Sequence, residues 1–190
     1  MSDLATERYA AAAAPPLLRR VQSFLNTRST GRPPEPDLLA SPASANNWLR
    51  TLEWPNRPRL TTDDLPALYE LRQTLQAQLE AGPAQGSILQ PDLARQLEKL
   101  SWRMTLEDGQ LVLSAEGDGW RLVAGTLLGD ILLAQQHELW PRLKACRNTP
   151  CSVAFYDNSK NQSRVWHNTS ACGNLVNLRA ARARQRAQAT

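Results

Sequence analysis

Cys146-Arg147-Asn148-Thr149-Pro150-Cys151, followed after fifteen intervening residues by His167-Asn168-Thr169-Ser170-Ala171-Cys172, gathers all three cysteines of a 190-residue chain and one of its two histidines. Three thiolates and an imidazole are the soft and borderline donors that tetrahedral Zn²⁺ takes, and a filled four-donor set leaves no open position for substrate. The pattern therefore predicts a structural Zn²⁺ held by Cys146, Cys151, His167 and Cys172. Ordinary buried cysteines are commoner in proteins at large, and a Cys–His pair can also be catalytic. Two equal x4 spacings favour the metal, and nothing marks one cysteine as a nucleophile with a third orienting group.

The residues around the four donors read as a small unit. Ser152-Val153-Ala154-Phe155-Tyr156 and Gln162-Ser163-Arg164-Val165-Trp166 are strand-like, with turn residues 157–161 between them. From Asn174 to Gln188 the chain is mostly Ala, Leu, Arg and Gln with no glycine or proline, and predicts a helix. Knuckle, hairpin and a helix whose first turn carries a ligand make a treble-clef-like arrangement. Some 45 residues bury too little core to stand alone, so zinc is expected to supply folding free energy on the order of 10 kcal/mol.

Upstream the pattern is helical. Residues 1–15 are Ala-rich without turn or cap signals and read as a flexible N-terminus. Leu17, Leu18, Val21, Phe24 and Leu25 recur at helical spacing, and Gly31-Arg32-Pro33-Pro34 ends that element. Ser41 and Pro42 open a second helix carrying Trp48, Leu49 and Leu52, and Thr61-Thr62-Asp63-Asp64 caps the strongest one, with Leu65, Leu68, Tyr69, Leu71, Leu75 and Leu79 as its apolar stripe. Gly82-Pro83 ends it, and 91–100 is a further short helix. The period then changes to two: Trp102, Met104, Leu106, Leu111 and Leu113 alternate about Asp108-Gly109, a hairpin with a tight turn. Asp118 is placed to cap a long apolar helix, and His137 falls at its end as a surface residue. The fold class is mainly α (α+β): a helical domain with a small hairpin over 16–141, then the zinc module over 142–190.

Mean hydropathy is −0.47 and no apolar run approaches the roughly 20 residues of a membrane span. Asp3 and Glu7 precede the Ala10–Leu18 stretch where a signal peptide carries positive charge, so a cytoplasmic protein is expected. The net charge of +4 is unevenly placed: residues from Arg142 onward carry +8, with Asp157 their single acid, against −4 before them. A basic tail on a mildly acidic body points to a polyanionic partner. On the last helix Arg179, Arg182 and Arg186 share one face, with Lys160 and Arg164 placed to extend it, and these five are the candidate DNA-binding residues. A solvated terminal helix is the plainer alternative. No glycine-rich phosphate loop or serine-centred elbow is present, so an enzyme is not expected.

The run 143–151, then Phe155-Tyr156-Asp157-Asn158-Ser159-Lys160-Asn161-Gln162-Ser163-Arg164, then Trp166-His167 and Ala171-Cys172-Gly173-Asn174, resembles the CGNR zinc finger. Upstream, Phe24-Leu25-Asn26-Thr27, Asp37-Leu38-Leu39, Trp48-Leu49 and Leu71-Arg72 resemble the ABATE-type domain that precedes it in bacterial stress-induced transcription regulators. The resemblance implies a structural zinc and a DNA-binding role. With the charge split beside the metal site, the reading is a bacterial regulator whose zinc module engages DNA and whose N-terminal domain senses a small molecule or mediates association, and a homodimer is compatible with it. Two departures stand out: His167 replaces the family's usual cysteine, and Leu175 occupies the position of the motif's arginine, removing a charge from the Arg179 face. The competing reading is a protein-interaction or small-molecule-binding protein whose finger is purely structural. For a ligand the residues to watch are Asn26, Thr27 and Arg72, which otherwise read as a helix cap and a surface arginine.

Overall fold

The structure, a computed structural model, describes residues 3–30, 34–82, 91–149 and 151–188. Gly31, Arg32 and Pro33 of the expected helix-ending cluster, and Pro83, lie outside the described residues. The chain forms helices α1 (Leu4–Glu7), α2 (Pro16–Leu25), α3 (Pro42–Leu49), α4 (Leu65–Ala81) and α5 (Pro91–Leu97), then strands β1 (Trp102–Glu107) and β2 (Gln110–Ala115). Helix α6 (Gly119–Gln136), strands β3 (Leu143–Ala145) and β4 (Ala154–Tyr156) and helix α7 (Asn174–Gln188) complete it. The fold is thus largely helical with two small antiparallel hairpins, as the periodicities imply.

Local chemistry sets most boundaries. Ser41 and Ser44 exchange side-chain and backbone hydrogen bonds in a capping box ahead of α3, with Pro42 at the first position. Gly82, at φ +79°, ends α4. Asp108 and Gly109 both take positive φ and close the β1–β2 hairpin in the turn whose twist suits it. At the start of α6 the expected cap is replaced: the Asp118 side chain makes no cap bond, and Asp64 Oδ1 accepts the Trp120 N–H at 2.9 Å. Only glycine fits at 119, because a Cβ there would sit 2.2 Å from Asp64 Oδ1. His137 is the exposed C-cap of α6, as expected of a helix-end residue.

The core lies between α2, α4 and α6. Leu18, Val21, Phe24 and Leu25 meet Leu68, Leu71 and Leu75 on one side and Val123, Leu127 and Ile131 on the other. Trp48 is fully buried among them, and its indole N–H donates to Ser23 Oγ at 3.0 Å. The same apolar cluster continues into Leu143, Ala145 and Ala154, so β3 and β4 are packed onto the helical body. Asn26 makes this junction directional. Its amide donates to the Ala154 carbonyl at 3.0 Å and accepts the Ala154 N–H at 2.9 Å, as a neighbouring strand would.

One segment has contacts the sequence did not signal, and one expectation needs correction. The described part of the N-terminal segment packs on α2. Asp3 Oδ1 caps α1 and accepts the Ser23 hydroxyl, Arg8 donates to the carbonyls of Asn26, Arg28 and Pro36, and Ala5 and Ala14 are buried. The carbonyls left open just past the end of α2 are what hold Arg8. Residues 162–166 form no strand. The hairpin of the C-terminal unit pairs β3 with β4, so the Cys146/Cys151 knuckle sits at its tip rather than before it. One edge of β4 is taken by β3 and the other by the Asn26 amide, which leaves no edge for a returning strand.

Candidate metal centre

Cys146 follows β3 directly, and its N–H donates to the Val153 carbonyl across the knuckle, while the Cys151 N–H donates to the Asn148 carbonyl at 2.6 Å. The Arg147 N–H reaches the Val165 carbonyl at 3.0 Å and ties in the segment that delivers His167. Asp157, fully buried, holds that segment from below. It accepts Lys144 Nζ at 2.7 Å, the Ser159 hydroxyl at 2.6 Å, and the N–H groups of Ser159 and Arg164 at 2.9 Å each. Burial raises this carboxyl, but the donors from Lys144, Ser159 and Arg164 outweigh it and bring it down to about 2. Cys172 lies in a wide π-type turn, Thr169–Gly173, opened by Asn168, whose side chain accepts the Ala171 N–H. A Cβ on Gly173 would meet the Trp166 ring at 3.1 Å, so glycine lets that indole lie against the turn.

These elements bring one donor atom each from Cys146, Cys151, His167 and Cys172 within 4.8 Å of one another. His167 Nδ1 faces the cluster, 3.3 Å from Cys151 Sγ and 3.7 Å from Cys172 Sγ. Around a tetrahedral zinc, bond lengths of about 2.3 Å to sulfur and 2.0 Å to nitrogen put neighbouring donors about 3.5 to 3.8 Å apart. The donor set therefore suits that ion, and the two His167 distances lie close to this spacing. The cysteines are buried beside Tyr9, Val153 and Phe155, with Trp166 packed against them. The Cys146 thiol is held below its ordinary range, first by the bond from Cys151 and against the effect of burial, whereas Cys151 is pushed up by giving that bond and Cys172 by burial.

Asn148 carries no signal in the sequence, yet it stands directly behind the donors. Buried, it donates from Nδ2 to Cys172 Sγ at 3.3 Å and accepts Arg179 Nη1 at 3.1 Å on Oδ1. One arginine of the expected stripe is thus joined to the thiol cluster through a single amide. Arg182 and Arg186 lie exposed further along α7, and Lys160 is exposed in the loop after β4. Arg164 is turned inward, stacked over Phe155 at 5.8 Å and bonded to the His167 carbonyl at 3.2 Å. It lines a cavity of about 990 Å³ with Arg28, Glu80, Trp140, Lys144 and Arg147, while Arg179 lines a separate one of about 320 Å³ beside the cysteines. Of the five expected cations, Arg164 and Arg179 thus line different cavities.

Asn26, Thr27 and Arg72 do not line either cavity. Asn26 is bonded to β4, and Arg72 is a buried arginine rather than a surface one. It forks onto both oxygens of Asp37 at 2.9 and 2.7 Å, donates to Thr27 Oγ1 at 2.8 Å and lies over the Tyr69 ring. Asn26, Thr27 and Arg72 thus make hydrogen bonds within the fold.

Comparison with protein families gives two matches. Residues 142–185 match the CGNR zinc finger, and residues 18–139 match the ABATE family, described as "Putative stress-induced transcription regulator". The second match covers more than half of the chain. No curated protein matches it.

Proposed function

The chain belongs to the ABATE family, and from that premise we propose that it is a cytoplasmic DNA-binding transcription regulator whose finger is organised by a structural Zn²⁺. Cys146, Cys151, His167 and Cys172 hold the ion, which cross-links the knuckle to the start of α7 when bound. Arg179, Arg182 and Arg186 supply the main cationic face along α7, with Lys160 at the loop and Arg164 at the margin. The observation that carries the reading is Arg179, whose hydrogen bond to Asn148 links the basic helix to the proposed metal site. In this reading residues 16–141 and 142–190 are two functional domains that share an apolar seam.

The N-terminal domain mediates association or sensing, and the effector site we favour is the cavity of about 990 Å³ between the end of α4 and the finger. Its lining by Arg28, Lys144, Arg147 and Arg164 with the single acid Glu80 suits a small anion. The test is salt-dependent binding of the zinc-verified protein to duplex DNA. Affinity should fall with rising salt at a log–log slope of roughly −2 to −5, and Arg182→Glu with Arg186→Glu should weaken it at least tenfold. No binding at about 50 mM salt would reject the DNA reading and leave the finger as a purely structural part.

A further inference from the structure

We propose that the uncovered face of the β1–β2 hairpin, together with Leu132 and Leu133 of α6, is the surface through which two copies of this chain form a symmetric dimer. The hairpin is amphipathic in register. Its antiparallel partners Trp102–Ala115, Met104–Leu113 and Leu106–Leu111 fall on one face, and Arg103, Thr105, Glu107, Gln110 and Ser114 on the other together with one apolar residue, the half-buried Val112. Only the base rung of the apolar face is covered by the molecule itself. There Trp102 donates its indole N–H to the Gly125 carbonyl at 3.0 Å, and Ala115 approaches Gly125 so closely that a Cβ would meet its own at 2.8 Å.

The two outer rungs run on into solvent. Met104 is 65% exposed, Leu106 71%, Leu111 73% and Leu113 37%. Gly129 lies one turn beyond Gly125 on the side of α6 that faces Trp102, and Leu132 and Leu133 follow on that side, both exposed. Among the described residues, six of the nine exposed large apolar side chains belong to this one region. The remaining three are Leu4, Leu175 and Leu178. The ion pair Arg103–Glu116 is formed by a strand residue of the opposite, polar face.

A second copy is the occupant that the area and shape fit. Six such side chains hold on the order of 500 to 600 Å² of apolar surface, at the upper end of the largest patch usual on a monomer. A standard interface takes about 800 Å² from each partner, of which roughly 450 to 520 Å² is apolar. The patch therefore nearly matches one half of such an interface. It carries no charge on its outer rungs, so two copies related by a two-fold axis can stack hairpin on hairpin at sheet spacing without placing like charges in contact. The proposal does not depend on the DNA reading.

The test is sedimentation of the full-length, zinc-loaded protein from about 1 to 200 μM. The wild type should approach twice 21.1 kDa within that range. Leu106→Lys with Leu111→Glu places opposite charges across one rung, which preserves the hairpin, and should weaken association at least 100-fold while leaving the circular dichroism spectrum unchanged. Should that pair unfold the hairpin, the single change Met104→Gln at an exposed site should still weaken association at least fivefold. Leu178→Glu on α7 should leave it within twofold. A wild type that stays monomeric throughout, or a dimer that survives the hairpin variants or is lost with Leu178→Glu alone, overturns the proposal.

Discussion

Replacing Asn148 by alanine isolates the contact that joins the candidate metal centre to the basic helix. The side chain is buried, and its Nδ2 donates to Cys172 Sγ at 3.3 Å. A donor to a metal-bound thiolate disperses the ligand's charge and fixes its direction, and losing such an outer partner typically lowers metal affinity 10- to 100-fold, or about 1.4 to 2.7 kcal/mol. That range agrees with the ~1.5 to 3 kcal/mol of a hydrogen bond to a charged group. Asn148→Asp should be worse for zinc than Asn148→Ala, since it sets a carboxylate beside the thiolate while still accepting from Arg179. Arg179→Ala, one bond further out, should cost less than about fivefold. Competition for zinc against a chromophoric chelator measures all three, and the absorption of the cobalt-substituted protein reports whether the tetrahedral site persists. An Asn148→Ala protein that binds zinc within twofold of the wild type would show the contact to be incidental.

Three further outcomes are expected. Asn26→Ala should lower stability by about 1 to 3 kcal/mol in urea unfolding, because it strips the partner from the buried N–H of Ala154 and one of the two donors from its C=O, which keeps Gln22 Nε2 at 3.3 Å; a loss below 0.5 kcal/mol would refute the strand-like role. Asp157 has its carboxyl lowered from 3.8 to about 2, so its stabilising contribution is fully present above pH 4 and disappears as pH falls toward 2. Asp157→Asn should then cost about 2 kcal/mol at pH 7 and flatten the acid limb of the stability curve, whereas an unchanged acid limb would contradict the bonding around that carboxyl. Removing the metal with a chelator should lower the melting temperature of the helical body as well as disorder the finger, since Leu143, Ala145 and Ala154 are shared with its core; an unchanged melting temperature would mean that the two fold independently.

Much of this molecule was legible in its residues because the signals are local. Helical and strand periods, the Ser41–Pro42 start and the Asp108–Gly109 turn each act over a few residues, and the x4 spacings mark four donors that must converge if they bind one ion. What escaped that reading depends on partners distant in sequence. The N-terminal segment has one local cap, Asp3, and is otherwise held by Ser23 and the carbonyls of 26, 28 and 36, while the cap of α6 comes from Asp64. Asn26 and Arg72 look like candidate ligand groups until folding supplies Ala154 and Asp37 to satisfy them.

The sequence by itself determined the helices, the first hairpin, the donor set and the charge asymmetry, since residue identity and spacing are sufficient for these. Only the tertiary structure decided that β4 pairs with β3 and Asn26 rather than with residues 162–166, that Asn148 stands between Cys172 and Arg179, and that the outer rungs of the first hairpin remain uncovered. The reason is that a strand edge, a buried donor and an apolar face are each satisfied by whichever group the whole chain brings alongside, and that choice is made in three dimensions.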